Sequence, residues 1–342
     1  MFNVLLGYFK RFKTQIDPKL LFRMLLLGII IFLIIAFIVY NIEPQDQFNS
    51  LADAIWWVVV TATTVGYGDF FPVSVGGRLL AVVLMVLGIG LFGGITATIT
   101  DLFIKIEKRR ELGQLTADYK GHIIICGWCE KTSEIIRQIL NEDIENKQIV
   151  LIADLERDPF PDNNLVHFIR GEIDDKEILE KANIQWARTA IILNEDNNDA
   201  TTVLSALTIN SLNSTLYSIA EISKEENRIH LQNAGVDEIV VNNDISSRLM
   251  VRTAFYHGTS IVFNELLTNK IGNEVYMLKV EKEYADKSFA ELFTYLKQKE
   301  NAILLGLKRG DNVLLNPDNS KLVLAGDYLI YMALKRIDNF CI

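Results

Sequence analysis

Cysteine is scarce in this chain. Three cysteines in 342 residues exclude a disulfide-stapled scaffold. The four histidines are scattered, so a zinc site built on His and Cys lacks ligands. Positive charge is outnumbered over most of the chain. Residues 1–110 carry 10 Lys and Arg against 7 Asp and Glu, a net of +3. The remainder carries 24 against 36, a net of −12, which is unsuited to nucleic acid. Apolar residues, by contrast, make up 50% of the chain, which excludes disorder. With 23% charged residues the mean hydropathy is still +0.20, which excludes a purely soluble enzyme.

The apolar excess lies at the front. Residues 24–40 are 17 without a charge, extended across Arg23 by Leu20, Leu21 and Phe22. Residues 79–100 are 22 without a charge, about 33 Å of helix against a bilayer core of about 30 Å. The first run is too long for a signal peptide, and no small-residue cleavage site follows it. It spans if Arg23 extends to the interface. Lys10, Arg11, Lys13, Lys19 and Arg23 precede the first span, and Lys105, Lys108, Arg109 and Arg110 follow the second. Glu43 and Asp46 lie between. Positive charge favours the cytoplasmic side, so both termini are expected there, in a multi-pass protein of the cell membrane.

Residues 51–63 are apolar but only 13 long, the length of a re-entrant helix rather than a span. They end in Thr64-Val65-Gly66-Tyr67-Gly68, then Asp69. Non-helical backbone at membrane depth survives only where it is buried in protein or lines a watery cavity. Gly66 and Gly68 reach positive φ without a Cβ clash. Such a stretch turns its carbonyls toward an axis, where they replace the water shell of a cation.

Over residues 20–104 the chain resembles the two-transmembrane potassium channels, in the order helix, short helix, filter pentapeptide, helix. The resemblance implies four copies around one axis, with K+ held by Thr64 to Gly68. It also implies an aromatic cuff of Trp56, Trp57 and Tyr67, with Asp69 at the outer mouth concentrating cations. Asp53 reads as an ordinary acid in the first turn of the short helix, favourable to its dipole. Gly88 matches the gating hinge of related channels. Close helix packing at small residues fits Gly93 and Gly94 better than Gly88.

From Lys120 the pattern changes. Residues 122–126, 149–153, 166–169, 190–193, 216–220 and 238–241 read as strands, separated by helical stretches at 132–140, 173–182, 197–210 and 225–233. This alternation implies a doubly wound parallel sheet, whose ligands bind beyond the carboxyl ends of the strands. The first such end is Cys126-Gly127-Trp128-Cys129. Of the dinucleotide fingerprint only Gly127 is present, and the next two glycine places hold Cys129 and Thr132. Asp154 ends the second strand, where an acid accepts from ribose hydroxyls. Read alone, Cys126 and Cys129 suggest redox or metal chemistry, but Cys126 falls on a buried strand.

This part resembles the regulator-of-potassium-conductance (RCK) domain, joined to a pore as in the calcium-gated channels of the MthK type. The marks are residues 122–128, Asp154, Arg170-Gly171, Ala187-Arg188, Ala220-Glu221 and residues 233–237. The expected fold is a two-span helical pore, a Rossmann-like α/β N-lobe and a small α+β C-lobe of TrkA-C type. The expected boundaries are 1–19 for an N-terminal segment, 20–104 for the pore and 105–119 for a linker. Within the pore, the helices are expected at 20–40, 51–63 and 79–104. The N-lobe follows at 120–241, crossover and dimerisation helices at 242–271, and the C-lobe at 272–342. RCK domains pair and form a ring whose diameter changes on ligand binding and pulls the inner helices. One domain is encoded here, so the ring's stoichiometry stays open.

Two ligands stay open. A nucleotide such as NAD or ADP implicates Gly127, Trp128, Cys129, Asp154 and Arg170. Calcium needs six to eight oxygens. Of the ligands used by calcium-gated relatives only Glu221 is retained, with Ser223 and Leu193 in the other two places and Glu195 or Asp196 as possible substitutes. The expected activity is ligand-gated potassium conduction without enzymatic turnover. A membrane-anchored NAD-dependent oxidoreductase leaves residues 64–68 without a role. A regulatory subunit of a potassium transporter would lack the attached pore.

Overall fold

The first apolar run forms one helix, α1 (Pro18–Ile42), and a second, α2 (Leu51–Ala62), starts at a capping box. Ser50 accepts from the Asp53 N–H, and the Asp53 carboxylate accepts from the Ser50 N–H at 2.9 Å. Asp53 therefore fixes the start of α2. The long α3 (Val75–Glu111) completes the first unit, Met1–Glu111. The computed structural model describes residues 18–337 except 45, 143–145, 269–271, 282–284 and 311, with backbone alone for 18–22. Lys10, Arg11, Lys13 and Cys341 lie outside the described residues.

α1 and α3 are each long and apolar enough to cross a membrane. Their inner sides meet α2 in a core of Ala36, Val39, Phe48, Trp57, Val58 and Leu84. Their other sides expose Leu27, Phe37, Val82 and Val86. A folded chain tolerates that much exposed apolar surface where lipid or another protein covers it. α3 continues eleven residues beyond Thr100, where the uncharged run ends. Asp101 and Lys105 pair at 2.7 Å across one turn, and Leu102 and Ile106 are buried. The linker expected at 105–119 therefore begins at Leu112.

The second unit, Leu112–Ile342, opens on the doubly wound sheet. Its strands are β1 (Ile123–Cys126), β2 (Ile149–Ala153), β3 (Val166–Arg170), β4 (Thr189–Ile192), β5 (Tyr217–Ile222) and β6 (Glu238–Val241). All pairs are parallel, in the order β3-β2-β1-β4-β5-β6. β1 and β2 are β-branched runs buried on both faces, as expected of strands covered by helices on each side. The covering helices are α4 (Thr132–Asn141), α5 (Lys176–Lys181), α6 (Asp199–Leu212) and α7 (Arg228–Asn233). α5 is shorter than the expected 173–182, because Asp175 caps it by accepting from the Glu177 N–H.

The helices α8 (Asn242–Phe255) and α9 (Thr259–Leu267) follow, with Met250, Phe255, Ile261 and Leu267 exposed. The C-lobe is an antiparallel sheet with α10 (Phe289–Lys299) over it. Its strands, β7 (Glu274–Lys279), β8 (Ile303–Arg309), β9 (Asn312–Leu315) and β10 (Tyr328–Ala333), lie in the order β7-β10-β8-β9. Asp327 is buried beside β8, where it accepts from Arg309 Nε at 2.8 Å and Nη2 at 2.7 Å. The guanidinium holds the Asp327 carboxyl below its ordinary value of 3.8. A depressed carboxyl contributes stability above its unfolded pKa, lost as pH falls through its folded one. Asp327→Asn should therefore lower the melting temperature at pH 7 and converge with the native protein only once pH falls below the depressed folded pKa of Asp327, itself under 3.8. A gap that persists in acid would contradict the pairing.

Candidate functional site

The chain leaves α2 through hydrogen bonds of changing span, from the helical i→i−4 to i→i−3, i→i−5 and i→i−6. The N–H groups of Thr63, Thr64, Val65 and Gly66 all donate backward, to the carbonyls of Val59, Thr61 and Val60, at 2.9–3.2 Å. Among the described residues no donor reaches the carbonyls of Thr64 to Gly68. Backbone φ is positive at alternate residues, +60° at Thr64, +60° at Gly66 and +75° at Gly68. A left-handed φ is unusual for a β-branched residue such as Thr64. Alternation of hand turns successive carbonyls toward one side instead of to both, as in an ordinary strand.

The aromatic cuff forms in part. Trp56 stacks on Tyr67 with ring centres 6.0 Å apart and planes 6° apart. Its indole N–H donates to Asp69 at 2.9 Å, which ties Asp69 to the wall behind residues 64–68. Trp57 does not join them. It turns inward and meets Phe48 edge to face at 5.9 Å. Successive helical residues point about 100° apart, so two adjacent tryptophans do not share one side.

Glu43, read in the sequence only as a flanking charge, does more. It is buried, and its carboxylate accepts from the N–H groups of Val73 and Ser74 and from the Ser74 hydroxyl at 2.5 Å. It thus joins the end of α1 to the start of α3. Gly77 has no side chain where that carboxylate lies.

The packing of α3 reverses the sequence expectation. A Cβ on Gly88 would meet the Ala62 carbonyl oxygen at 2.7 Å and its Cα at 2.9 Å, at the last residue of α2. Gly90 and Gly93 have open space, and Gly94 meets only the tip of Met24. Close packing therefore sits at Gly88, and α3 passes through it without a break. Gly88→Ala is expected to destabilise the purified protein by about 1–3 kcal/mol, since backbone cannot swing aside. Gly90→Ala should melt at or above the native temperature. Equal melting of the two variants would contradict this packing.

The second candidate site is the crest of the parallel sheet. Gly127 follows β1 with φ +107°, a turn that suits glycine alone. The Cys129 N–H donates to Thr132 Oγ1 at 2.8 Å, so Thr132 closes the turn where a glycine was sought. Trp128 meets Phe160 edge to face. Asp154 pairs with Arg170 at 3.1 Å, side by side at the ends of β2 and β3. They border a cavity of about 350 Å3 together with Gly113, Gln114, Gly171 and Lys181. Burial pushes the Cys126 thiol up to about 12, so it is not a thiolate at neutral pH.

The linker is fastened along this edge. Gly113 O accepts from the Arg170 N–H at 3.0 Å, and Ala117 N donates to Lys181 O at 2.8 Å. Tyr119 O accepts from the Asn183 amide at 2.7 Å.

The acids considered for calcium do not converge. Glu221 forms an ion pair with Lys131 and accepts from the Asn194 N–H. Glu195 accepts from the Trp128 N–H, and Asp196 is exposed. No group of three His, Cys, Asp or Glu able to hold a metal occurs among the described residues. Asp199, unremarked in the sequence, anchors the crest beside them. Burial opposes its charge, but the N–H groups of Ser223 and Lys224 and the amides of Asn227 and Asn194 outweigh that and hold it low.

Family models match the chain in three blocks. Residues 27–105 match the ion-channel family, residues 123–242 the TrkA-N domain, and residues 243–339 the Castor and Pollux family, part of a voltage-gated ion channel. In order along the chain these matches place an ion-channel region before a TrkA-N domain, and the chain is similar over most of its length to potassium channels. It is 29% identical over 330 residues to the calcium-gated potassium channel TvoK of Thermoplasma volcanium, covering 93% of each chain. It is 29% identical over 310 residues to the putative potassium channel protein YugO of Bacillus subtilis, covering 88% of this chain and 93% of that one. Its fold is similar to the solved GsuK channel, with a TM-score of 0.50 at 20% identity, covering 93% of this chain and 58% of that one.

Proposed function

We propose that the chain forms a homotetrameric, potassium-selective channel, with residues 64–68 as the filter and a ligand-driven RCK ring as its gate. The observation that carries the filter is the state of its carbonyls. Among the described residues no donor reaches those of Thr64 to Gly68, and the alternating hand of φ turns them to one side, where they are left for a dehydrated cation. Four copies are needed because one loop supplies one wall. The bilayer covers the apolar sides of α1 and α3, with both termini cytoplasmic. The exposed apolar faces of α8 and α9 pair two domains. The channel reading leaves no turnover chemistry to the chain.

The regulatory ligand that the crest favours is an adenine nucleotide. Gly127 supplies the turn, Asp154 the ribose acceptor, and Arg170 a cation beside it. The linker residues Gly113 and Gln114 line the cavity that Asp154 and Arg170 border, so a ligand held by those two touches the segment that leads to the pore helix. A ligand gates only through its different affinity for the two ring states. Calcium gating is the property for which the Thermoplasma relative is named. In this chain a lysine already neutralises Glu221, and that pairing disfavours calcium there.

Liposomes test the reading. Reconstituted protein should dissipate a potassium gradient and leave a sodium gradient standing. Equal dissipation of both, or of neither with ADP present and with ADP absent, would overturn it.

A further inference from the structure

The crest carries an anion of its own. In a doubly wound sheet, the N–H groups after the first strand face the place where a nucleotide's pyrophosphate binds. Here the N–H of Trp128, the first after Gly127, donates to the Glu195 carboxylate. Two features put Glu195 there. Leu193 N donates to Cys126 O at 2.8 Å, which carries the pairing of β1 and β4 past the strand ends and brings the next residues over the turn. A Cβ on Gly127 would meet Glu195 Cγ at 3.3 Å, so the missing side chain is what lets the Glu195 stem lie across it.

The nearby cations are engaged elsewhere. Lys131 pairs with Glu221 and Arg170 with Asp154. Among the described residues no cation pairs with Glu195, so its charge is held by a backbone donor alone. The loop beyond it turns on two left-handed residues, Asp196 at +49° and Asn197 at +57°, and leads directly into α6.

We propose that Glu195 is a tethered stand-in for a nucleotide phosphate, so that a pyrophosphate-bearing nucleotide binds the crest only by displacing it. Displacement frees the loop that starts α6 and thereby passes occupancy of the cleft to the rest of the domain. The proposal rests on the nucleotide reading of the cleft.

Calorimetry on the full-length protein in detergent, with ADP and with adenosine, tests it. Removing a carboxylate that competes for one charge-assisted hydrogen bond should tighten ADP binding by about tenfold or more in Glu195→Ala. Adenosine brings no phosphate and should bind the native protein and the variant alike. Glu195→Gln keeps the volume without the charge and should fall between, which guards against a folding artefact in the alanine variant. Equal ADP affinity in all three proteins would overturn the role of Glu195 and leave the cleft reading intact. An equal gain for adenosine would overturn it too, because the effect would then come from opened space. Failure of every protein to bind either ligand would overturn the cleft reading and the proposal with it.

Discussion

Gly66→Ala should abolish potassium selectivity. Gly66 sits at φ +60° between Val65 and Tyr67, and a Cβ in the left-handed region costs about 1–2 kcal/mol. Nothing within the protomer lies within 4 Å of the position a Cβ would take. The damage therefore comes from the backbone. Relaxing φ to negative values rotates the adjoining peptide planes and takes carbonyls off the axis. A tetramer suffers that change four times around one ring. Reversal potentials under a potassium/sodium gradient should move from the potassium value toward zero, or the current should vanish. Gly90→Ala, in open space on a helix, should conduct as the native channel does. Retained selectivity in Gly66→Ala would remove residues 64–68 as the filter.

Deleting residues 113–342 should separate conduction from its control. The cut falls at the division between the two units, and the core of α1, α2 and α3 draws on none of the deleted residues. The Glu43 link between α1 and α3 is kept as well. The whole crest is lost, together with the linker bonds from Gly113 to Tyr119. The truncated protein should give potassium-selective current whose open probability ADP does not change. The native channel should respond to ADP. A truncated channel that still responds would place the ligand site outside the second unit.

The parts legible in the sequence are those encoded by neighbouring residues. Isoleucine-rich runs bounded by polar helices gave β1 and β2, since strands buried on both faces need unbroken β-branched stretches. The loop proposed as the filter was legible as a motif because five consecutive residues carry it. The end of α3 was not. The apolar run stops at Thr100, but helix continues wherever turn-to-turn pairs such as Asp101 with Lys105 support it. Nor were the long-range partners. Glu43 reaches Ser74 over 31 residues, Glu195 reaches Trp128 over 67, and Lys131 reaches Glu221 over 90. Composition gives no sign of such pairs, because each forms only after the sheet or helices have set the distance. The close packing at Gly88 was missed for the same reason. Its close neighbour, Ala62, belongs to another helix, and no spacing within α3 distinguishes it from Gly93.

The central claim is that the loop after α2 conducts potassium and that the second unit controls it. Planar-bilayer recording of the purified full-length protein tests both, under a potassium/sodium gradient with ADP and then calcium perfused onto the cytoplasmic face. The account predicts a reversal potential near that of potassium and an open probability that changes with ADP but not with calcium. A non-selective current would contradict the filter. A selective current that responds to calcium alone would contradict the nucleotide crest.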